Sequence, residues 1–365
     1  MTKNIDRKGP SFHRHSLRKL AWGGAALVAT GICAMAVAQT LPESAASILG
    51  MDAASLARMT ASYQRTASIP SPQDNPTTEA KVNLGKKLFF DPRLSGSGAI
   101  SCASCHNPSF GWQDALPTAV GDHGGVLGRH TPTILNTAWA EPLFWDGRAD
   151  TLEQQATGPM LANAEMAGSK DKVVATISTV PEYRDGMAKL FPKDPYTIEN
   201  VAKLLAAYER TIVSGEAPFD RWIKGDVNAI SDGAKRGFML FNTKGNCASC
   251  HSSWRFTDDG FHDIGLPGSD IGRAKIMSTL PIFDHAFKTP TLRNIAERAP
   301  YMHDGSVKTL EAVVDHYDHG FIQRASLSDQ VKPLHLTAQD RADLVEFMKA
   351  LTSKDSAVSV PVLPR

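Results

Sequence analysis

The string Cys-Ala-Ser-Cys-His occurs twice in this chain, at Cys102–His106 and at Cys247–His251. Two thiols three positions apart, followed at once by an imidazole, suit one task above others. The thiols add across the two vinyl groups of a haem, and the adjoining His becomes the proximal iron ligand. A zinc site would need separate ligand pairs brought together, and a thioredoxin-like motif lacks both the His and a βαβ setting. The duplication therefore points to two covalent haem c groups, attached through Cys102, Cys105, Cys247 and Cys250, with His106 and His251 on the irons.

The repeat extends beyond these strings. Thr131-Pro132-Thr133-Ile134-Leu135-Asn136, Asp146-Gly147 and Thr151-Leu152-Glu153 return 158 positions later as Thr289-Pro290-Thr291-Leu292-Arg293-Asn294, Asp304-Gly305 and Thr309-Leu310-Glu311, with 11 of 23 residues identical over 131–153 and 289–311. Gly85–Phe89 before the first motif is likewise echoed by Gly237–Phe241 before the second. Two copies are too few for a solenoid and indicate two related domains, in keeping with 365 residues. Periodic segments at Ile198–Ser214 and Ala338–Leu351 are helical and strand signals are few. The expected fold is mainly α, with two cytochrome c-like domains related by internal duplication. The expected boundaries are 78–220 and 221–353, preceded at 39–77 by a helix (Ala53–Tyr63) and a proline-rich linker, and followed at 354–365 by a loose tail.

Residues 1–38 read as a secretory signal peptide: six Lys/Arg with one acid, an apolar run, and Ala36-Val37-Ala38 as the cleavage signal. An uncleaved membrane anchor is the alternative, disfavoured by the run's small Gly/Ala-rich side chains. Cleavage would remove Cys33 and leave four cysteines, all used on haem. It would also turn a formal charge of +1 (39 basic, 38 acidic) into 33 against 37, a net of −4. Nothing in that balance suggests nucleic acid, whereas a mildly acidic surface suits a basic redox partner.

What fills each iron's sixth position separates a carrier from a catalyst. In the second half Thr309–His319 reads as a helix whose apolar face carries Leu310, Val313, Val314 and Tyr317, so Tyr317 is the polar group best aimed at a haem. A core tyrosine with a hydrogen-bonded hydroxyl is the alternative reading, and Met302 is the next candidate ligand. The counterpart of Tyr317 is Pro159, which is expected to break the matching helix and offers no ligand atom. Glu165 is the nearest carboxyl to that open side. It is a candidate proton acceptor and donor for bound peroxide, against the reading of a solvated surface acid. Trp145 suits an aromatic relay between the haems, or plain core.

Together with Leu88–Leu94, Phe144–Ala149, Glu165-Met166 and Ala299–Gly305, these motifs resemble the bacterial di-haem cytochrome c peroxidase family over nearly all of residues 78–350. The resemblance implies a peroxidatic first haem, an electron-relaying second haem, Trp145 between them and Glu165 as acid/base. Tyr317 stands where typical members have Met. In this it resembles the methylamine-utilisation (MauG-like) branch, whose members oxidise a protein-bound tryptophan precursor, and Gln155, Pro159 and Glu165 match that branch's open pocket. Gly245, two before Cys247, departs from the surface tryptophan used there toward the protein substrate. The loop Gly121–Gly125 approximates one that carries a distal histidine in typical members, which makes His123 a candidate cap on the first haem. The family's inter-haem calcium ion would meet His130 in place of an Asn, with backbone oxygens of Arg298 and Pro300, and neutral imidazole is a poor ligand for a hard cation. His262 and His303 are expected only to make structural hydrogen bonds.

The leading expectation is a periplasmic cytochrome-c-peroxidase-type oxidoreductase. It would take electrons from a small c-type cytochrome or copper protein. A MauG-like enzyme acting on a partner protein and a non-catalytic di-haem carrier are the alternatives. The resemblance leaves room for a homodimer.

Overall fold

The computed structural model describes residues 49–66 and 68–365, so the leader, with Cys33, lies outside the described residues. Helices dominate: α1 (Ala53–Ala61), α2 (Glu79–Phe90), the short α3 (Cys102–Cys105), α4 (Leu152–Leu161), α5 (Lys170–Thr179), α6 (Pro181–Leu190), α7 (Ile198–Glu209), α8 (Pro218–Ile223), α9 (Asp232–Asn242), α10 (Leu310–Asp315) and α11 (Ala338–Lys349). Among the described residues, extended pairing amounts to a two-residue antiparallel ribbon, Phe261–His262 against Phe287–Lys288, and a few isolated bridges.

The repeat is visible in local geometry. The Thr-Leu-Glu strings open α4 and α10, where the hydroxyls of Thr151 and Thr309 accept from Gln154 N (3.2 Å) and Ala312 N (3.1 Å) as N-caps and a Glu sits in each first turn. Asn136 and Asn294 both adopt left-handed backbone, with φ of 62° and 55°. Each accepts the amide of a serine beyond a later helix: Ser214 N for Asn136 (3.1 Å), Ser353 N for Asn294 (3.2 Å). These contacts align α7 with α11 at an offset of 139 positions.

Two cores result. In one, α2 packs on α7 and α7 on α4, around Leu88, Phe89, Leu205, Tyr183 and Met160. In the other, α9 packs on α11 around Phe219, Phe238, Phe256 and Phe347. The gap in the chain's order is bridged at both ends. Helix α1 belongs to the second core, with Leu56 fully buried and Tyr63 stacked on Phe256 at 4.9 Å. The segment after Lys354, read as a loose tail, forms no helix or strand but is tied to the first half: Val358 packs on its core and Arg93 donates to the Pro364 carbonyl at 2.9 Å.

Several expected helices differ. α7 ends at Glu209 and α11 at Lys349, because the chain must leave the helix to reach Ser214 and Ser353 for the asparagine contacts. Pro159 does not break α4, which runs two residues further to Leu161. Near a helix end the missing N–H and the crowded carbonyl of Gln155 are the whole cost, and no following turn is disturbed. Finally, α10 is continued by a π-helical turn, His316–Gly320, rather than by regular helix.

Candidate haem centres

Both motifs present their thiols and imidazole to a cavity in the same way. After Cys102 the chain turns once, so that His106 N donates to Cys102 O (2.9 Å), and His251 N does the same to Cys247 O (2.8 Å). The imidazole Nδ1 of His106 then donates to Trp112 O (3.2 Å), and that of His251 to Phe256 O (2.9 Å). With Nδ1–H so engaged, Nε2 carries the free lone pair of an axial ligand. Burial pushes both imidazoles toward the neutral form. The cysteines of each pair are unbonded to one another. Thus each cavity offers two free thiols and one fixed ligand nitrogen, the donor set covalent haem c requires.

The cavities differ elsewhere. The first is about 670 Å³ and is lined by Cys102, Cys105, His106, Gln155, Pro159 and Glu165, among others. Gln155 and Pro159 lie one turn apart on α4, so they share a face. Glu165 follows the end of α4 in a turn closed by its own N–H to Ala162 O (2.9 Å), and its carbonyl accepts from Asp122 N at 2.6 Å. Its carboxyl has no hydrogen-bond partner among the described residues. Burial raises its pKa, and the nearby Arg148 opposes that shift.

The second cavity is about 180 Å³ and contains Cys247, Cys250, His251 and Tyr317. The π turn aims the tyrosine. On one side of it His316 Nε2 donates to Ile264 O (2.9 Å). On the other Asp318 accepts from Leu336 N (3.1 Å) and Arg341 Nη2 (2.9 Å). Tyr317 itself makes no hydrogen bond among the described residues, unlike the core tyrosines Tyr63 and Tyr183. Desolvation raises its phenol well above the ordinary value. Met302 lines both cavities, at a turn position where φ is 75°.

Trp145 also lines both. Its indole N–H donates to His130 O (2.8 Å), and its carbonyl accepts from Lys288 N (2.8 Å) in the second half. The His303 ring lies 6.5 Å from its ring and is stacked on Phe287 at 3.5 Å. His303 thus differs from the hydrogen-bonding role expected of it: its side chain is an aromatic layer beside Trp145, and burial lowers its pKa to about 4. His262 does make the expected bond, to Asp258 (2.8 Å), which raises its pKa to about 10.

His123 is outside the first cavity, 69% exposed, at φ 64° beside Asp122. Its loop is held by Gly121, whose Cα lies so close to Ala164 O that a Cβ would overlap it. His130 is buried with Nδ1 donating to Leu116 O (2.7 Å). Arg298, a fixed positive charge opposing a divalent cation, lines the same cavity. Sequence reading assigned nothing to Glu209 or to the side chain of Arg298. Both are buried charged side chains on the first cavity wall.

Two cytochrome c-like halves with unlike sixth sides define a di-haem c-type oxidoreductase. Residues 79–228 match the family described as di-haem cytochrome c peroxidase, and residues 234–352 that described as cytochrome c. The chain is 50% identical over 312 residues to methylamine utilization protein MauG of Methylorubrum extorquens, covering 85% of this chain and 88% of that protein. It is 36% identical to cytochrome-c peroxidase IdrP1 of a Pseudomonas species, covering 81% and 87%. A crystal structure of a MauG-like protein associated with microbial copper homeostasis superposes with a TM-score of 0.74 at 32% identity, over 80% of this chain and 95% of that one. The chain belongs to the di-haem cytochrome c peroxidase family and is a peroxidase-type oxidoreductase.

Proposed function

We propose that this chain is a periplasmic di-haem peroxidase that reduces hydrogen peroxide at the haem held by Cys102, Cys105 and His106. The observation that carries the reading is the asymmetry of the two cavities: Pro159 and an unpaired Glu165 in one, Tyr317 in the other. When bound, the first haem supplies an iron at which the O–O bond of peroxide is cleaved and two oxidising equivalents are retained. Pro159 leaves the side opposite His106 without a ligand atom. Glu165 accepts the proton of the incoming peroxide and returns it to the leaving oxygen, and burial has moved its pKa toward the range that suits both steps. Gln155 offers its amide to orient the bound oxygen. Trp145, in the wall of both cavities, would carry charge between this site and the one formed by Cys247, Cys250, His251 and Tyr317, where a bound haem would accept electrons from a small cytochrome or copper protein. The reading needs no calcium ion. Among the described residues no helix is long and apolar enough to cross a membrane, which is compatible with export.

The test is electron paramagnetic resonance on the ferric protein before and after stoichiometric peroxide. One high-spin and one low-spin haem are expected, and both signals should fall on addition of peroxide. Two low-spin haems indifferent to peroxide would sink the proposal.

Tyr317 favours a second reading, in which the reductant is a residue of a partner protein. A phenolate stabilises oxidised iron and makes its haem a poor high-potential acceptor. Steady-state oxidation of a reduced cytochrome c separates the two: rapid turnover supports the first, and its absence together with peroxide reactivity supports the second.

A further inference from the structure

Glu209 closes α7 on the wall of the first cavity, 5% exposed. Its Oε2 is buried without a hydrogen-bond partner, and neither carboxyl oxygen is paired among the described residues. The offset of 139 positions that aligns Ser214 with Ser353 also aligns Leu205 with Leu344 and Glu209 with Met348, and both Leu344 and Met348 line the second cavity. At one place in a duplicated wall, therefore, the first haem faces a carboxyl group and the second an uncharged thioether. A buried acid left unpaired costs stability and has no packing role that the methionine does not fill.

We propose that Glu209 is the redox-linked proton-binding residue of the first haem. An outer-sphere reductant supplies one electron to the ferric iron, solvent supplies one proton to the Glu209 carboxylate, and both leave on reoxidation. The physical ground is charge neutrality: an electron added to a site of low dielectric is stabilised if a neighbouring carboxylate is neutralised with it. The groups that face Glu209 bear this out. Cys102 on α3 and Tyr208 on its own helix are neutral. Burial is the largest influence and pushes Glu209 up, Arg210 pulls it down and Glu153 on α4 pushes it up, leaving it at about 8. Beside it, at the buried end of α7, lies a polar chain that ends at half-exposed side chains: Arg210 Nη2 donates to Glu153 (2.7 Å), Asn75 Nδ2 donates to Glu153 (2.6 Å), and Lys81 Nζ donates to Asn75 (2.8 Å).

The inference rests on a haem at His106, not on which substrate that haem serves. Its test is optical potentiometry of the di-haem protein at a series of pH values bracketing about 8. In the wild type the first haem's potential should fall as pH rises, while the second haem's stays level. Glu209→Gln and Glu209→Met, the latter copying the second cavity, should abolish that slope and leave the second haem unchanged. Haem content per chain, measured on each variant, distinguishes failure of the inference from failure to hold the cofactor. A slope that persists in either variant at full haem content overturns the proposal. So does the absence of proton uptake, followed with a pH indicator, when the wild-type protein is reduced.

Discussion

Around the two haem sites the chain does the same things in the same order until the sixth side is reached. A C-x-x-C-H turn fixes a proximal imidazole, a left-handed asparagine anchors a later helix, and a threonine caps the helix that crosses the open face. At that point α4 presents Pro159 and Gln155, whereas α10 relaxes into a π turn that presents Tyr317. Duplication supplied attachment chemistry twice, and on the proposed reading a few side chains on one face separate a site that admits a substrate from one that does not. The lesson is that the proximal side specifies the cofactor and the distal side its task.

The contrast can be broken most severely at the first site. Replacing both Cys102 and Cys105 by Ser should lower covalent haem from two to one per chain and abolish peroxide consumption. Activity that survives would move catalysis to the second site. Glu165→Gln should slow peroxide reduction by about 10²–10⁴-fold, the usual worth of a positioned acid/base. Its raised pKa sets the sign: the proton acceptor must be ionised, so the wild-type rate should climb as pH rises through a value above 4.5, and the variant's profile should be flat. The two cores differ as well. The second buries an ion pair, Arg293 to Asp220 at 2.8 Å with both side chains out of solvent, where the first has Leu135 in place of the arginine. Arg293→Met removes the nearest cation from buried Asp220, leaving it Arg65 at 3.8 Å and the Ala217 amide, and should cost about 3 kcal/mol in denaturant unfolding. Tyr317→Phe should alter the low-spin signal and spare the high-spin one; an unchanged spectrum would remove Tyr317 from the iron. Met302→Leu, the smallest change, should leave both signals as they are on the proposed assignment of Tyr317; loss of the low-spin signal would make Met302 the ligand instead.

The attachment motifs, the repeat and several residues that line the two cavities were legible because each depends on local spacing. Cys102–His106 needs one turn of chain, and the 158-residue shift from Tyr317 to Pro159 needs only alignment. The structure corrected features that depend on what lies across space. Pro159 is tolerated because α4 is almost over, which a proline in a helical pattern does not reveal. His123 falls outside the cavity because Gly121 presses its loop onto Ala164. His303 was expected to make structural hydrogen bonds, and Phe287, 16 positions earlier, is stacked on it instead. Glu209 was invisible for a plainer reason: a glutamate near a helix end is ordinarily solvated, and only its burial on the first cavity wall, in line with Met348 of the second, shows that this one faces inward.

The exchange of ends has a consequence for how the chain becomes a protein. Tyr63 reaches Asn242 across 179 positions, and Arg93 reaches Pro364 across 271. Neither half can complete its packing from its own residues, so the earliest helix waits for the middle of the chain and the earliest core waits for the last few residues. Such long-range closure slows folding, because the entropy of closing large loops is lost before the contacts are gained. Each core is therefore finished by a segment from the far end of the described chain.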